Sequence, residues 1–404
     1  MKASIKYMFL LMIPVIFIGM ILISCEKKDG GGTPVIHYIR ITDPEKADSL
    51  LTAAFMGDLI VIVGENLGGA REIWFNDQEA YLTPTYITDE TILVNVPSNT
   101  PKVITNQIKI IFADGYELLH DFTIDIPGPE LYSIKCEYVA DGGTVELTGD
   151  YFFDPTTVIF PGNLEAEIST RTKTELEVIV PDGATTGKIK IRTTFGEVES
   201  DFLFRDNRNI ILDFDTYFHE LWTAPVIYAD SAPDPAPCSG NYVNIISDEV
   251  GSWDWENYLS IQYWAENSAK GDVPLATGLV NDLIFKFEAN VPIEWHDVRM
   301  EIYMTIYGNG HGRDAQPPPS HARWMPWIDE PYITDGWITV SIPLSDFMFD
   351  KNDPEDNEQG SRPIEDLSVL TNLTMMVFGP TSSSPFHPVK ICIDNVRIVP
   401  STVD

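Results

Sequence analysis

Trp324 and Trp327 flank Pro326 in a stretch from His321 to Glu330 that has neither helical nor strand periodicity. An indole ring stacks on apolar C–H groups while its N–H donates a hydrogen bond, so tryptophans outside a regular element are candidates for ligand contacts. The chain has nine tryptophans, and all but Trp74 lie in its C-terminal half. Binding chemistry that uses aromatic rings is therefore expected in that half.

Strand alternation places further rings on polar faces. In the run Tyr258–Trp264, Trp264 shares a face with Gln262, and in Val298–Tyr307 Tyr303 alternates with apolar residues. Rings beside polar side chains match a pyranose, whose C–H groups stack on a ring while its hydroxyls form hydrogen bonds. The residues predicted to bind a sugar in this way are Trp253, Trp255, Trp264, Tyr303, Trp324, Trp327 and Trp337.

Structural roles compete with binding at several of these positions. Trp295 follows Pro292 at a strand end and is expected to be a structural plug. Trp337 opens an amphipathic run and suits burial under a loop as well as exposure, and Trp327 suits a residue that pins its loop. Trp253, Trp255 and Trp324 lie where no apolar periodicity is visible, which favours exposure.

The composition of the chain limits the kinds of molecule that it can bind. The chain has 404 residues and a formal net charge of −35, which argues against nucleic acid and against docking on anionic lipid. Its 29 prolines and 27 glycines punctuate many short apolar runs, which is typical of an all-β protein. Cys136, Cys238 and Cys392 are widely spaced, which indicates neither a disulfide framework nor a zinc site, and Cys136 and Cys392 are expected to be buried.

The N-terminus predicts export and lipidation. Two lysines precede an apolar run from Met8 to Ile23, which is shorter than the ~20 residues of a spanning helix, and Ser24-Cys25 completes a lipoprotein-type cleavage site. Residues 1–24 are thus predicted to be a signal peptide, Cys25 to be lipidated and residues 25–33 to be a flexible tether. Glu26 follows the cysteine, and the expected location is the outer membrane, with the chain facing outward.

Two copies of one unit follow the tether. The segment Gly142–Tyr151 aligns with Gly57–Asn66, and Thr174–Pro181 aligns with Glu90–Pro97. A repeated unit of about seven short strands predicts tandem immunoglobulin-like sandwiches over residues 34–127 and 128–205. Residues 206–404 break the repeat, and their first and last strands are both apolar, which predicts a larger jelly-roll-like β-sandwich.

The repeats resemble the IPT/TIG domain, the immunoglobulin-like fold shared by plexins and transcription factors. The pattern that carries the resemblance is Thr-x-Leu-x-Val-x-Val-Pro, which stands here as Thr174–Pro181 and, with Glu for the Thr and Ile for the Leu, at Glu90–Pro97. In bacterial surface proteins such units are mostly spacers, so this resemblance implies a stalk.

The C-terminal region resembles that of Bacteroidetes surface glycan-binding lipoproteins whose last domain binds xyloglucan or a related β-glycan. The residues that carry it are Phe285–Trp295, Trp324–Trp327, Thr334–Phe347 and Ile393–Ile398. The resemblance implies an aromatic platform that includes an adjacent Tyr-Trp pair. Tyr263-Trp264 is such a pair, which adds Tyr263 to the candidates, although alternation points its ring away from that of Trp264.

The sequence favours binding over catalysis. The 61 acidic residues single out no glycosidase pair, and hydrolase, zinc-protease and P-loop motifs are absent. No cofactor is expected, and calcium at Asp213, Asp215 and Asp394-Asn395 competes with ordinary surface turns.

The interpretation is a non-catalytic protein that captures a polysaccharide such as xyloglucan, mixed-linkage glucan or mannan. The expected partners are the glycan, the outer membrane reached through the lipid, an outer-membrane glycan importer and a surface glycosidase, with no nucleic acid. A surface adhesin or assembly module with structural aromatics is the alternative, and a glycosidase is a third possibility.

Overall fold

The computed structural model describes residues 32–43, 45, 48–218, 223–250, 259–265, 268, 270, 271, 273–296, 298–306, 320–349, 362–379 and 388–403. Contacts divide the chain into two compact units, one ending at Ile126 and the other beginning at Pro127. The described residues form strands and short 3₁₀ turns, so the predicted all-β fold is confirmed. None of the described helices is long and apolar enough to cross a membrane. The predicted three-domain division stays a prediction.

The first unit is an immunoglobulin-like sandwich. Its strands are β1 (Val35–Ile41), β2 (Leu50–Leu51), β3 (Ala53–Phe55), β4 (Leu59–Glu65), β5 (Ala70–Phe75), β6 (Gln78–Ala80), β7 (Thr91–Asn95), β8 (Gln107–Phe112), β9 (Glu117–Asp121) and β10 (Thr123–Asp125). The order β2-β1-β4-β7 forms one sheet, β6-β5-β8-β9 forms another, and β3 pairs in parallel with β10. Alternate residues along β8 are buried, because one face of each sheet covers the core.

The second unit begins with another sandwich of the same kind. Its strands are β11 (Glu130–Ile134), β12 (Thr144–Asp150), β13 (Thr156–Phe160), β14 (Leu164–Arg171), β15 (Glu175–Ile179), β16 (Lys190–Thr193) and β17 (Gly196–Glu199). The two sequence repeats also share their backbone conformation at equivalent positions. Gly57 and Gly142 precede equivalent strands with φ of 87° and 78°, and Asn66 and Tyr151 follow those strands with φ of 58° and 59°.

The rest of the second unit is a larger two-sheet sandwich of the jelly-roll type. Its strands are β18 (Ile210–Leu212), β19 (Val226–Ile227), β20 (Tyr242–Ser247), β21 (Ser260–Trp264), β22 (Leu283–Asn290), β23 (Arg299–Ile306), β24 (Ser320–Trp324), β25 (Ile338–Pro343), β26 (Met348–Phe349), β27 (Arg362–Pro363), β28 (Leu370–Phe378) and β29 (Val389–Pro400). Sheet I has the order β19-β20-β29-β22-β25, with β18 on β29. Sheet II has the order β21-β28-β23-β24-β26-β27. The main apolar core, which includes Phe285, Phe287, Met300 and Ile302, lies between them.

Short 3₁₀ turns connect several strands. They span Leu67–Gly69, Pro84–Tyr86, Ala229–Ser231, Val280–Asp282, Leu344–Asp346 and Leu367–Val369.

The outer face of sheet I is covered by the second immunoglobulin-like sandwich through buried charges. The Arg397 guanidinium on β29 is fully buried and donates to Glu288 on β22 at 2.8 Å and to Glu137 of the neighbouring sandwich at 2.6 Å. Lys286 reaches the second oxygen of Glu137 at 2.5 Å, and the guanidinium lies 5.1 Å from the Tyr138 ring centroid. Because Glu137 belongs to the neighbouring sandwich, this ion network holds the two sandwiches together. We call it the joint network.

Burial controls protonation beside the joint network. Asp394, on the same strand as Arg397, is fully buried and accepts the Asn395 N–H at 2.7 Å. Burial raises the pKa of Asp394 well above its ordinary range, and the nearby Glu288 carboxylate raises it further. Burial also raises the pKa of Glu288, although the charge of Arg397 opposes that shift.

We expect Arg397→Met to reduce the free energy of unfolding of the second unit by about 3–5 kcal/mol, because two buried carboxylates lose their shared cation. Urea denaturation followed by tryptophan fluorescence measures the change. Arg192→Met is the matched control, since Arg192 is 53% exposed in its ion pair with Glu197 and its loss should change little. Equal effects of the two substitutions would contradict a stabilising role for the joint network.

Asp394→Asn should stabilise the protein progressively as the pH rises. Above the ordinary aspartate pKa the unfolded chain releases a proton that folded Asp394 retains, so the stability of the wild-type protein falls with rising pH. Asparagine keeps an acceptor for the Asn395 N–H and removes this titration. The difference in unfolding free energy between variant and wild type, measured in urea with a reductant present, should be larger at about pH 8 than at about pH 5. A difference that is independent of pH would show that Asp394 is ionised in the folded protein.

Candidate functional site

The outer face of sheet II is the candidate site, because the other sheet of this sandwich has its outer face covered at the joint network. Alternate residues of β21, β28, β23 and β24 point away from the main core and form this face, which we call the sheet II face. Its members are Ser260, Gln262, Trp264, Arg299, Glu301, Tyr303, Thr305, Arg323, Asn372, Thr374, Met376 and Phe378.

Strand pairing arranges this face in cross-strand rows. Thr374 on the central strand β28 is the register partner of Gln262 on one side and of Tyr303 on the other. One row along, Asn372 stands between Trp264 and Thr305. Each row therefore combines an aromatic ring with side chains that can form hydrogen bonds.

The sheet II face also has an apolar cluster of its own. Tyr303, Met376 and Phe378 pack together apart from the main core. Beside this cluster the Glu301 carboxylate lies 3.1 Å from Arg299 Nε and 3.0 Å from Arg323 Nε, and all three groups are largely buried. The guanidinium of Arg299 also lies 6.0 Å from the Phe378 ring centroid. Fixed charges and rings at this spacing suit a ligand that has both apolar surface and hydroxyl groups.

Trp264 and Tyr303 are the two predicted ligand-binding residues that the structure brings to this face. Trp264 lies at the end of β21, and it is partly exposed. Tyr303 is only 1% exposed and presents no ring face to solvent. Trp264 is therefore the ring on this face that is placed for stacking.

Tyr263 was expected to bind through an adjacent Tyr-Trp pair, and the structure corrects this. Its side chain enters the main core from the inner face of β21, and its hydroxyl lies 3.0 Å from Ser268 Oγ. Burial raises the pKa of Tyr263. Alternation along the strand makes the opposite orientation of the two neighbouring rings unavoidable.

The expectation that Trp324 is exposed in a loop is wrong. Trp324 ends strand β24 and is 9% exposed, and its ring centroid lies 5.2 Å from that of Phe287 and 5.1 Å from that of Trp295. Trp295 is fully buried, and its indole N–H donates to the Val298 carbonyl at 2.7 Å, so its prediction as a structural plug is confirmed. These rings close one end of the core.

Trp327 and Trp337 also have structural partners away from the sheet II face. The Trp327 N–H donates to the same Val298 carbonyl at 2.7 Å, and the ring packs against the main core. The Trp337 N–H donates to Ala236 at 2.7 Å, and its ring meets Tyr242 edge to face at 5.3 Å. Trp337 precedes β25 of sheet I, whereas Trp264 ends β21 of sheet II. Trp253, Trp255 and the predicted lipidation site Cys25 lie outside the described residues.

Sequence reasoning missed part of the sheet II face. Strand alternation puts Arg299 and Glu301 on the same side of β23 as Tyr303. It gave no role to Asn372 and Thr374, because β28 is buried along its whole length and shows no clean polar period. The missing information was the strand order, since β28 lies between β21 and β23 only in the fold.

The carboxylates considered for calcium have other structural roles. Asp213 accepts the backbone N–H groups of three following residues, from Asp215 to Tyr217, at 2.7–3.1 Å, and Asp215 accepts the Asn241 N–H. Over the ranges that the structure describes, no group of three or more His, Cys, Asp or Glu residues could hold a metal ion. Calcium binding here stays a prediction.

Comparison with known proteins assigns this sandwich to a family. Residues 204–400 match the family model described as the surface glycan-binding protein B xyloglucan binding domain. The crystal structure of the surface glycan-binding protein PbSGBP-B from Prevotella bryantii is 26% identical, with a TM-score of 0.66 over 92% of this chain and 99% of that one. An IPT/TIG domain-containing protein from Bacteroides ovatus is 23% identical and covers 67% of this chain and 76% of its own length.

The family match spans the strands of both sheets, and the similarity to the Prevotella protein extends over the immunoglobulin-like sandwiches as well. Residues 204–400 thus match the xyloglucan-binding domain of surface glycan-binding protein B, and the chain as a whole is similar in sequence and fold to a surface glycan-binding protein.

Proposed function

We propose that the sheet II face binds a neutral polysaccharide with a β-linked glucan backbone, of the xyloglucan class, and that Trp264 stacks on one of its sugar rings. The observation that carries the proposal is the position of Trp264. It is a partly exposed residue in a row with Asn372 and Thr305, on the outer face of sheet II and away from the joint network. The family match of residues 204–400 supports a xyloglucan-type ligand.

The remaining groups on this face have a consistent division of roles. The Trp264 ring offers apolar surface for the C–H groups of a pyranose, which have no other favourable contact in water. Asn372, the register partner of Trp264, accepts the Ala265 N–H at 3.2 Å and so fixes the strand end that carries this ring. The ion network of Arg299, Glu301 and Arg323 holds its side chains in fixed positions, so little conformational entropy is lost when a ligand binds.

Charge favours a neutral ligand. A net charge of −35 repels uronate-rich polymers at long range but leaves neutral glucans and mannans unaffected. Among neutral polymers, an extended β-linked chain presents successive flat ring faces along one direction, which suits the row arrangement of the sheet II face.

We further propose that binding occurs without turnover at the outer surface of the outer membrane. In this proposal lipidated Cys25 anchors the chain, the immunoglobulin-like sandwiches extend it, and an outer-membrane importer and a surface glycosidase receive the captured glycan. Several acyl chains on one cysteine give a stable anchor at ~0.8 kcal/mol per buried methylene. We expect no cofactor to be required.

Trp264→Ala should weaken binding to xyloglucan by about 30-fold, or ~2 kcal/mol, because the substitution removes the stacking ring. Isothermal titration calorimetry with xyloglucan oligosaccharides measures the loss. Trp74→Ala is the matched control, since Trp74 lies in the first unit and should leave affinity unchanged. Trp337→Ala should also leave affinity unchanged. Loss of binding in Trp337→Ala with a normal melting temperature would move the site to the sheet I side.

A glycan panel tests the ligand class and the absence of turnover. The wild-type protein should be retarded in native gels that contain xyloglucan but not in gels that contain polygalacturonate, because the acidic polymer is repelled. Overnight incubation with xyloglucan should release no new reducing ends. Retardation by none of the β-glucans or β-mannans would refute the proposed ligand class, and the appearance of reducing ends would identify an enzyme.

A further inference from the structure

Cys136 and Cys238 are brought together by the fold although 101 residues separate them in the sequence. Cys136 follows β11 in the second immunoglobulin-like sandwich, and Cys238 lies between β19 and β20 of the C-terminal sandwich. Both are buried and belong to one small apolar cluster with Tyr138 and Ile210. The Cys136 thiol donates to the Tyr138 carbonyl at 3.0 Å, and the Cys238 thiol donates to the buried Asp394 carboxylate at 3.6 Å.

The pair is accessible to a small reagent. Both cysteines line a cavity of about 470 Å³ beside the joint network, together with Trp337 and Lys135. A cavity of this volume admits a small disulfide or the tip of a peptide, so a disulfide donor can approach the two cysteines that line it.

The third described cysteine differs in its surroundings. Cys392 is buried on β29, where its nearest polar partner is Asn244 Oδ1 at 3.9 Å. In the part of the chain that the structure covers, no cluster of His, Cys, Asp or Glu around the pair is arranged as a metal site. The chemistry left to two adjacent thiols is oxidation to a disulfide.

We propose that Cys136 and Cys238 form a disulfide that links the second immunoglobulin-like sandwich to the glycan-binding sandwich. One thiolate attacks the sulfur–sulfur bond of a disulfide donor and expels a thiolate from it. The second cysteine then attacks this mixed disulfide and releases the donor as its dithiol. Two protons leave the cysteines, and the two electrons reside in the reduced donor. A suitable donor requires an oxidising compartment, so this step rests on the export proposed above but not on glycan binding.

The disulfide would strengthen the contact between the two sandwiches that the joint network already holds together. Tyr138 joins the two features, since it belongs to the cysteine cluster and also lies beside Arg397. A cross-link that closes a loop of roughly 100 residues restricts the unfolded chain strongly. It would hold the glycan-binding sandwich in a fixed orientation relative to the second immunoglobulin-like sandwich, even where low pH weakens the joint network.

Peptide mapping of the full chain, isolated from an oxidising compartment or incubated natively with oxidised glutathione, tests the proposal directly. Free thiols are first alkylated in denaturant. Trypsin then cuts after Lys135, Arg208 and Lys390, which places the three cysteines on separate peptides. We expect one linked pair of peptides, which contain Cys136 and Cys238, and an alkylated Cys392. Reduction should lower the melting temperature by several °C.

Matched variants keep the result interpretable. Cys136→Ala and Cys238→Ala should abolish the link and the melting shift on reduction, whereas Cys392→Ala should retain both. The proposal is overturned if native protein exposed to the disulfide donor keeps all three thiols free, if the link forms only in denaturant, or if it involves Cys392. Retention in a xyloglucan gel, run in parallel, reports on the proposed function separately.

Discussion

The structure depends on a buried guanidinium whose two carboxylate partners come from different sandwiches. An isolated buried cation costs several kcal/mol in lost hydration, and Arg397 avoids this cost only while both Glu288 and Glu137 contact it. Since Glu137 lies in the immunoglobulin-like sandwich, the glycan-binding sandwich has a satisfied charge only when its neighbour is in place. The joint network therefore makes the outer face of sheet I a contact surface for the second immunoglobulin-like sandwich.

This division explains why aromatic residues so similar in type serve different purposes. Trp295 and Trp324 close the core at one end and have almost no exposed surface. Trp337 lies near the joint network, where its N–H is already bonded to Ala236. Trp264 lies on sheet II, away from the joint network, and is partly exposed. Abundant tryptophan in the C-terminal half was a correct guide to the glycan-binding domain, but several of these rings are structural.

The same geometry explains which features could be predicted from the sequence and which could not. The tandem repeat was visible because equivalent strands begin and end with the same backbone requirements, such as positive φ at Asn66 and Tyr151. Alternation placed Trp264 and Tyr303 correctly because each lies on a strand with one polar side. It failed at Trp324, because the nearby Pro326 suggested a loop although the strand continues to Trp324 itself. The pairing of β28 with β21 and β23 could not be predicted, since strand order is a property of the tertiary fold.

The arrangement of sheet II also indicates where selectivity among β-glycans would arise. Stacking on Trp264 requires only an apolar ring face, which glucose, xylose and mannose all provide. Gln262, Asn372 and Thr374 are by contrast almost fully buried, and a buried polar group that loses its partner costs about 1–3 kcal/mol. In the proposed function, the Trp264 ring supplies affinity for β-glycans as a class, and selectivity within the class requires hydrogen bonds to the hydroxyl groups of the glycan.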